Sequence, residues 1–356
     1  MIGITHPKAV HFWKNIINNL ENDGHSVKIV TWDKDITLYL LNVYGLDYEV
    51  VGKHYKNLLK KAYGMVKSDF KLLKIAKRFN PDILVSAPPY FVQVSEIIRK
   101  PHICLSDTEH ANLVGLLSFP FTDVILTPSC FKRELNPKKH IKFDGYLELA
   151  YLHPHYFKPD SSILDDLELS KNDKFIVLRF VSWEASHDIG QHGLVNKKKF
   201  VKELEKYGRI FITSERKTHP DLEKYRITVP PERIHDLLYF ATLYIGEGAT
   251  MASEAAVLGT PSIYVNTLRL GYLDEEEKKY GLVYNFSDPK TAQEQAVEKA
   301  VTLLEDNNLK QNWRKKREKL LNEKIDVTKF LTDFIEGYPK SFYEWKFKNG
   351  ISFQNR

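Results

Sequence analysis

Between Leu243 and Val265 the chain reads LYIGEGATMASEAAVLGTPSIYV: a β-forming run, a glycine-bearing turn, a helix-forming run and a second β-forming run in immediate succession. Such a segment folds as a strand–helix–strand unit and commits the chain to a parallel sheet. Leu243, Tyr244 and Ile245 favour a strand, and Gly246 and Gly248 let the backbone turn. Thr250 or Ser253 is placed to cap a helix carrying Met251, Ala255, Ala256 and Leu258, which Gly259 and Pro261 end. Unpaired N–H groups converge at the first turn of such a helix, where its dipole adds roughly half a positive charge. Gly248, Ala249, Thr250 and Met251 would therefore hold a diphosphate without a lysine or a metal. Glu254, one turn further in, stands among alanines and is placed to accept hydrogen bonds from two ribose hydroxyls. Any strand–helix–strand unit has a turn of this kind, so the spacing alone also fits a purely structural turn.

The rest of the chain alternates in the same way. Strands are predicted at Val27–Thr31, Ile83–Ser86, His102–Leu105, Val124–Thr127, Ile141–Phe143, Phe175–Phe180, Ile210–Thr213 and Ser262–Val265. Helices are predicted at Ala9–Asp23, Tyr90–Arg99, Lys197–Tyr207, Ile234–Phe240 and Ala292–Asp306. At 356 residues the chain exceeds one ordinary core. The punctuated stretch His153–Lys171 suggests a boundary, giving domains 1–153 and 154–330, with 331–356 a tail that packs back on the first domain.

Three short motifs resemble the nucleotide-sugar signature of two-domain GT-B proteins: Gly246-x-Gly248, Glu254-Ala255 and Gly259-Thr260-Pro261. That class includes the UDP-N-acetylglucosamine 2-epimerases and the lipid-linked N-acetylglucosaminyltransferase of peptidoglycan synthesis. From about Met1 to Phe334 the chain resembles a prokaryotic family of that superfamily catalogued as domain of unknown function 354. The match is carried by Thr5-His6-Pro7, Asp33-Lys34-Asp35, Tyr44–Tyr48, Asp107–Ala111, Asp144–Pro154, Arg179 with Trp183 and Ser186-His187-Asp188, and Gly246–Pro261. Glu247 and Ala249 depart from it, standing where that family usually has glycine. The resemblance implies an α/β, GT-B-like fold: two Rossmann-like domains whose parallel sheets face a central cleft.

Ligands of parallel sheets bind beyond the carboxyl ends of the strands, so the residues there are the candidates. In the first half the densest titratable cluster is Asp107, Glu109 and His110, with His6 after the first strand as a further acid or base. Asp107 is equally suited to capping the following helix. In the second half Arg179, His187 and Arg216 enter loops at strand ends, where a guanidinium binds phosphate oxygens in a bidentate manner. These join Gly246, Gly248, Ala249, Thr250, Met251 and Glu254 as the donor-binding set. Asp33-Lys34-Asp35 is a polar loop, and no residue is assigned to a metal. No cofactor is expected beyond the nucleotide sugar as substrate.

With 43% apolar and 28% charged residues the chain reads as a globular protein, expected to be cytoplasmic since Met1–Trp13 lacks a signal-peptide core. Cys104 and Cys130 do not make a disulfide framework. The net charge of +6 concentrates in Lys53–Arg78, where lysines alternate with Leu59, Ala62, Val66, Phe70 and Leu73 at helical spacing. That segment fits a core helix with a solvated basic face, or a peripheral contact with the inner face of a membrane. It lacks the interleaved aromatics of a nucleic-acid site.

Together these features predict a metal-independent glycosyltransferase that takes a sugar from a UDP-sugar donor to a glycan or lipid-linked acceptor. A UDP-N-acetylhexosamine 2-epimerase and a catalytically silent nucleotide-sugar-binding protein are the alternatives.

Overall fold

The computed structural model describes residues 1–53, 58–87, 89–110, 112–181, 193–214 and 219–350. The chain divides into two compact units, Met1–Tyr151 with Ile325–Arg356, and Leu152–Lys324. The segment that joins the first unit starts at Ile325 rather than 331, because the Ile325 N–H bonds the Asp144 carbonyl (3.0 Å) and the helix that follows packs on the first helix of the chain.

The first unit is a seven-stranded, wholly parallel sheet of β1 (Ile2–Ile4), β2 (Ile29–Asp33), β3 (Tyr48–Lys53), β4 (Leu84–Ser86), β5 (His102–Leu105), β6 (Val124–Pro128) and β7 (His140–Phe143), ordered β3-β2-β1-β4-β5-β6-β7. Between the strands run α1 (Pro7–Asn22), α2 (Asp35–Val43), α3 (Leu58–Phe79), α4 (Val92–Ile98) and α5 (Asn112–Ser118), and α6 (Leu149–Leu152) leads out. The order reverses between β1 and β4. Right-handed crossovers therefore put α1 and α2 on one face and α3, α4 and α5 on the other. The core on the second face bears this out: Val30, Trp32, Val51 and Leu84 of the sheet pack with Leu72, Ile75 and Ala76 of α3 and Val94 of α4.

The second unit holds β8 (Phe175–Phe180), β9 (Arg209–Ser214), β10 (Leu243–Gly246), β11 (Ser262–Val265) and β12 (Val283–Phe286), all parallel and ordered β12-β11-β10-β8-β9. Its helices are α7 (Ser162–Asp166), α8 (Lys197–Leu204), α9 (Ile234–Phe240), α10 (Ala249–Leu258), α11 (Gly271–Glu275), α12 (Ala292–Glu305) and α13 (Leu309–Glu323). Here the order reverses between β8 and β10. The chain then returns to the first unit as α14 (Val327–Glu336), which packs on α1, and α15 (Lys340–Lys348). Two parallel α/β units of this kind are the GT-B-like architecture.

Strands β5, β8 and β11 run as predicted because each is a mostly apolar, almost wholly buried run, interrupted only by His102, Arg179 and Ser262. Besides β1, the short run before Thr5, the strands without a predicted range are β3 and β12, each at one edge of its sheet. Half-buried on most positions, they carry Glu49, Lys53 and Asn285 where a central strand would carry aliphatics.

Candidate functional site

In the second unit the reversal of strand order brings the carboxyl ends of β8 and β10 side by side, with Gly246 in register with Arg179. A crevice outside such ends is where parallel sheets take ligands. Helix α10 begins there. Its N-cap is Gly248, in extended backbone (φ −98°, ψ 120°), and not Thr250 or Ser253: Thr250 lies inside the first turn, and the Ser253 hydroxyl donates to Glu276 at 2.6 Å. Glycine brings no capping oxygen, so, among the described residues, the N-cap residue provides no side-chain cap for the amides of Ala249, Thr250 and Met251. Those residues are half-buried while Ala252–Leu258 are buried, so the mouth of the helix is its accessible part.

The glycines of this turn do different work. A Cβ at Gly246 would run into the Tyr244 ring and hydroxyl and lie 3.1 Å from the Arg179 Cβ, so β10 can end here only without a side chain. Among the described residues a Cβ at Gly248 would meet only Val181 Cγ1, at 3.5 Å, in a backbone conformation open to any residue. Nothing in the packing of the described residues demands glycine at Gly248; its bareness favours close approach to the first-turn amides. Gly259 is needed for conformation: at φ 83° it closes α10 while the Thr260 N–H bonds the Ala255 carbonyl at 2.8 Å.

Glu247 is buried, 1% exposed, its carboxylate accepting the N–H of Val181 at 2.9 Å and of Leu194 at 2.8 Å and pairing with Lys197 at 3.2 Å. The side chain that replaces the family's glycine thus serves as a brace. Glu254 is 4% exposed and lies 3.1 Å from His235 Nε2, which α9 delivers from the neighbouring connection. The alanines around it give this carboxylate room inside the helical layer, and His235 is a neighbour that sequence spacing alone did not link to it. Arg179, the last but one residue of β8, is half-buried and near enough to Tyr244 to oppose electrostatically the rise that burial imposes on the tyrosine's pKa. His187 and Arg216 lie outside the described residues.

In the first unit the carboxyl ends of β1 and β5 carry a second cluster. Lys8, in the first turn of α1, holds Asp107 at 2.7 Å and Glu148 at 2.8 Å. Burial alone would raise the Asp107 carboxyl, but the ammonium of Lys8 overcomes it and holds the group below the ordinary carboxylate range. For Glu148, burial wins over Lys8, and the negative Asp107 adds to the rise. The two carboxylates together lift Lys8 against its own burial. One ammonium therefore bridges two acids whose carboxyls are shifted in opposite directions, Asp107 down and Glu148 up.

Of the other candidates in this unit, His6 is exposed and caps α1 through its ring, accepting the Lys8 N–H at 3.3 Å. Glu109 accepts the Lys132 N–H at 2.7 Å, and His110 is exposed on the same loop. The cluster the structure assembles is thus Asp107 with Lys8 and Glu148, rather than Asp107 with Glu109 and His110. The signal for Glu148 was an acid amid the apolar run Tyr146-Leu147 and Leu149–Leu152, and for Lys8 a cation directly after the first strand: a buried acid needs a partner.

Solved structures share this architecture. The UDP-GlcNAc 2-epimerase from Neisseria meningitidis bound to UDP-GlcNAc superposes with a TM-score of 0.63 at 12% identity, over 96% of this chain and 99% of that one. The S. aureus MnaA–UDP complex gives 0.66 at 12%, over 96% of both chains. The spinosyn forosaminyltransferase SpnP gives 0.63 at 14%, over 95% and 98%. At such identities the likeness is one of fold, and that fold is GT-B. In sequence, the chain is 25% identical over 277 residues to the uncharacterized protein MJ0665 of Methanocaldococcus jannaschii, spanning 74% of this chain and 80% of that protein. A family model covers nearly everything described above, from residue 1 to residue 334, and the chain belongs to that family, Protein of unknown function (DUF354).

Proposed function

We propose that this protein is a glycosyltransferase that takes a sugar from a nucleoside diphosphate-sugar donor, with UDP as the expected nucleotide. The observation that carries the reading is the half-buried mouth of α10 at the β8/β10 reversal, where the N-cap is a glycine that brings no capping side chain and that packing among the described residues does not require. In this reading the amides of Ala249, Thr250 and Met251 hold the diphosphate and Arg179 stands beside it. Glu254, oriented by His235, accepts from the ribose hydroxyls. As the bond from the anomeric carbon to the phosphate oxygen breaks, its electron pair goes to the diphosphate. Fixed amide dipoles and a guanidinium favour that growing charge more than the bound ground state. The acceptor hydroxyl gives its proton to Asp107 as its oxygen bonds to the anomeric carbon. Lys8 keeps Asp107 ionised and ready for it. This chemistry calls on no metal. The superposed epimerase and MnaA structures, which hold UDP-GlcNAc and UDP, support a nucleotide or nucleotide sugar as ligand.

The pairing of Asp107 with Glu148 favours a second reading, 2-epimerisation of a UDP-N-acetylhexosamine. There one carboxyl group takes the C2 proton as UDP leaves, and the other returns a proton to C2 as UDP adds back, a role toward which burial shifts Glu148. Incubation with UDP-N-acetylglucosamine in deuterated water separates the two. Deuterium at C2 marks epimerisation, and turnover that requires an added acceptor marks transfer. Calorimetric titration tests the shared premise: Glu254→Gln should weaken UDP binding by more than about 1 kcal/mol, the order of a lost charged hydrogen bond. Unchanged affinity removes Glu254 from the site, and no binding of any nucleoside diphosphate removes the proposal.

A further inference from the structure

The face of the seven-stranded sheet covered by α3, α4 and α5 carries groups that neither cluster uses. α3 packs on α4, and α4 on the 3-10 turn Phe119–Phe121 that continues α5. Leu72, Ile75 and Ala76 point α3 into the core. Lys67, Phe70, Lys71, Lys74 and Arg78 recur at the spacing that aligns them along its opposite, outer side. Arg78 is engaged by Glu49 at 2.5 Å, whereas no carboxylate among the described residues pairs with Lys67, Lys71, Lys74 or Lys77. On the same layer Phe70, Ile97, Leu116, Leu117 and Phe121 are between 53% and 65% exposed. Asp69 is half-buried under the lysines, and Glu96 is the exposed acid of α4.

We propose that this face docks onto an anionic membrane surface. Large apolar side chains standing in water beside unpaired lysines are the composition of an interfacial anchor. The aliphatic and aromatic groups enter the headgroup boundary, and the lysine stems reach to lipid phosphates. No helix among the described residues is long and apolar enough to cross a membrane, so the contact is with the surface. A second copy of the chain is disfavoured as occupant, because a two-fold interface through this face would set the lysine stripe against itself. Nucleic acid is disfavoured because Ile97, Leu116 and Leu117 offer no stacking surface to bases. The contact does not rest on the proposed reaction, since vesicle binding is measured without substrate.

Co-sedimentation with vesicles of phosphatidylcholine, with and without phosphatidylglycerol, tests it. Binding is expected only where phosphatidylglycerol is present, and it should weaken as salt is raised. The double variant Leu116→Ser/Leu117→Ser should lose it. Lys71→Glu/Lys74→Glu, on the exposed side of a long helix where folding is not at stake, should weaken it at least about tenfold. No sedimentation with anionic vesicles at low salt overturns the proposal, as does equal binding to both lipids. It also falls if the leucine variant turns a dimer into a monomer while vesicle binding stays unchanged, which would assign the face to a second copy.

Discussion

Glu247 and Val181 join the ends of two neighbouring strands: from the turn after β10 the Glu247 Oε2 accepts the Val181 N–H at 2.9 Å, just past the end of β8. Its Oε1 takes the Leu194 N–H at 2.8 Å, and Lys197 at the start of α8 closes the pair at 3.2 Å. One buried carboxylate thereby satisfies two backbone donors and an ammonium beside the α10 mouth. Burial pushes its carboxyl up, only partly opposed by Lys197 and the two amides.

Replacing this brace should be expensive. Glu247→Gly leaves two buried amides and a lysine without their acceptor, and is expected to destabilise the second unit by about 3 kcal/mol, on the order of 6–12 °C in Tm. Glu247→Gln keeps one acceptor oxygen and should fall between. Differential scanning calorimetry reads both; an unchanged Tm for the glycine variant would mean that the turn is held by something else.

The two glycines flanking Glu247 should separate stability from binding. At Gly246 a methyl group collides with Tyr244 and crowds Arg179, so Gly246→Ala should cost about 1–3 kcal/mol through overpacking. At Gly248 the nearest atom to an added Cβ among the described residues is 3.5 Å away. Gly248→Val should therefore cost only about 1 kcal/mol, the N-cap disadvantage of valine, while shielding the first-turn amides and lowering nucleotide affinity by about tenfold or more. A Gly248→Val protein that binds UDP as tightly as the parent would show that the helix mouth is not the diphosphate site.

How much of this was legible beforehand follows from where the information lies. The turn, the helix and the stop at Gly259 occupy one continuous stretch, so local rules suffice to find them. In the sequence Glu247 stands only as a departure from glycine, because its partners Val181, Leu194 and Lys197 are brought to it by the fold and not by spacing. The same holds for Lys8, Asp107 and Glu148. Lys8 follows β1 and Asp107 follows β5, which the reversal of order sets two places apart, and the segment after β7 that carries Glu148 returns onto α1, where Asn15 donates to the Ala150 carbonyl at 3.0 Å. Edge strands β3 and β12 escaped because a strand packed on one side need not be apolar throughout.

Lys8 tests whether that gathered cluster is chemistry or only structure. In Lys8→Met the Asp107 and Glu148 carboxylates lose their shared cation, and folding should weaken by about 3–5 kcal/mol. Asp107→Asn keeps the shape and a hydrogen bond, so its Tm should change far less, yet its turnover should fall by about 100-fold or more if Asp107 is the base. Steady-state turnover of whichever donor the protein accepts, measured beside Tm, distinguishes these cases. Full activity in Asp107→Asn would leave the cluster a structural one.

A pH dependence with a definite sign is expected at the C-terminal helix. Lys346 of α15 is buried, its ammonium donating to the carbonyls of Pro137 at 2.5 Å and of His140, and burial brings its pKa down from 10.5 to about 8. Below about pH 8 the lysine is charged in both folded and unfolded chains, and the folded state bears the full penalty of the buried charge. Between about pH 8 and 10.5 the folded chain releases the proton while the unfolded chain still holds it, so the unfolded state binds more protons and this group makes stability rise with pH. Lys346→Met removes the titration and leaves two carbonyls without their donor. The variant should therefore be less stable than the parent at pH 10, by more than it is at pH 7. Thermal melts of both proteins across that range measure the difference directly. A stability gap that stays constant with pH would show that Lys346 keeps an ordinary pKa and that α15 is held by packing alone.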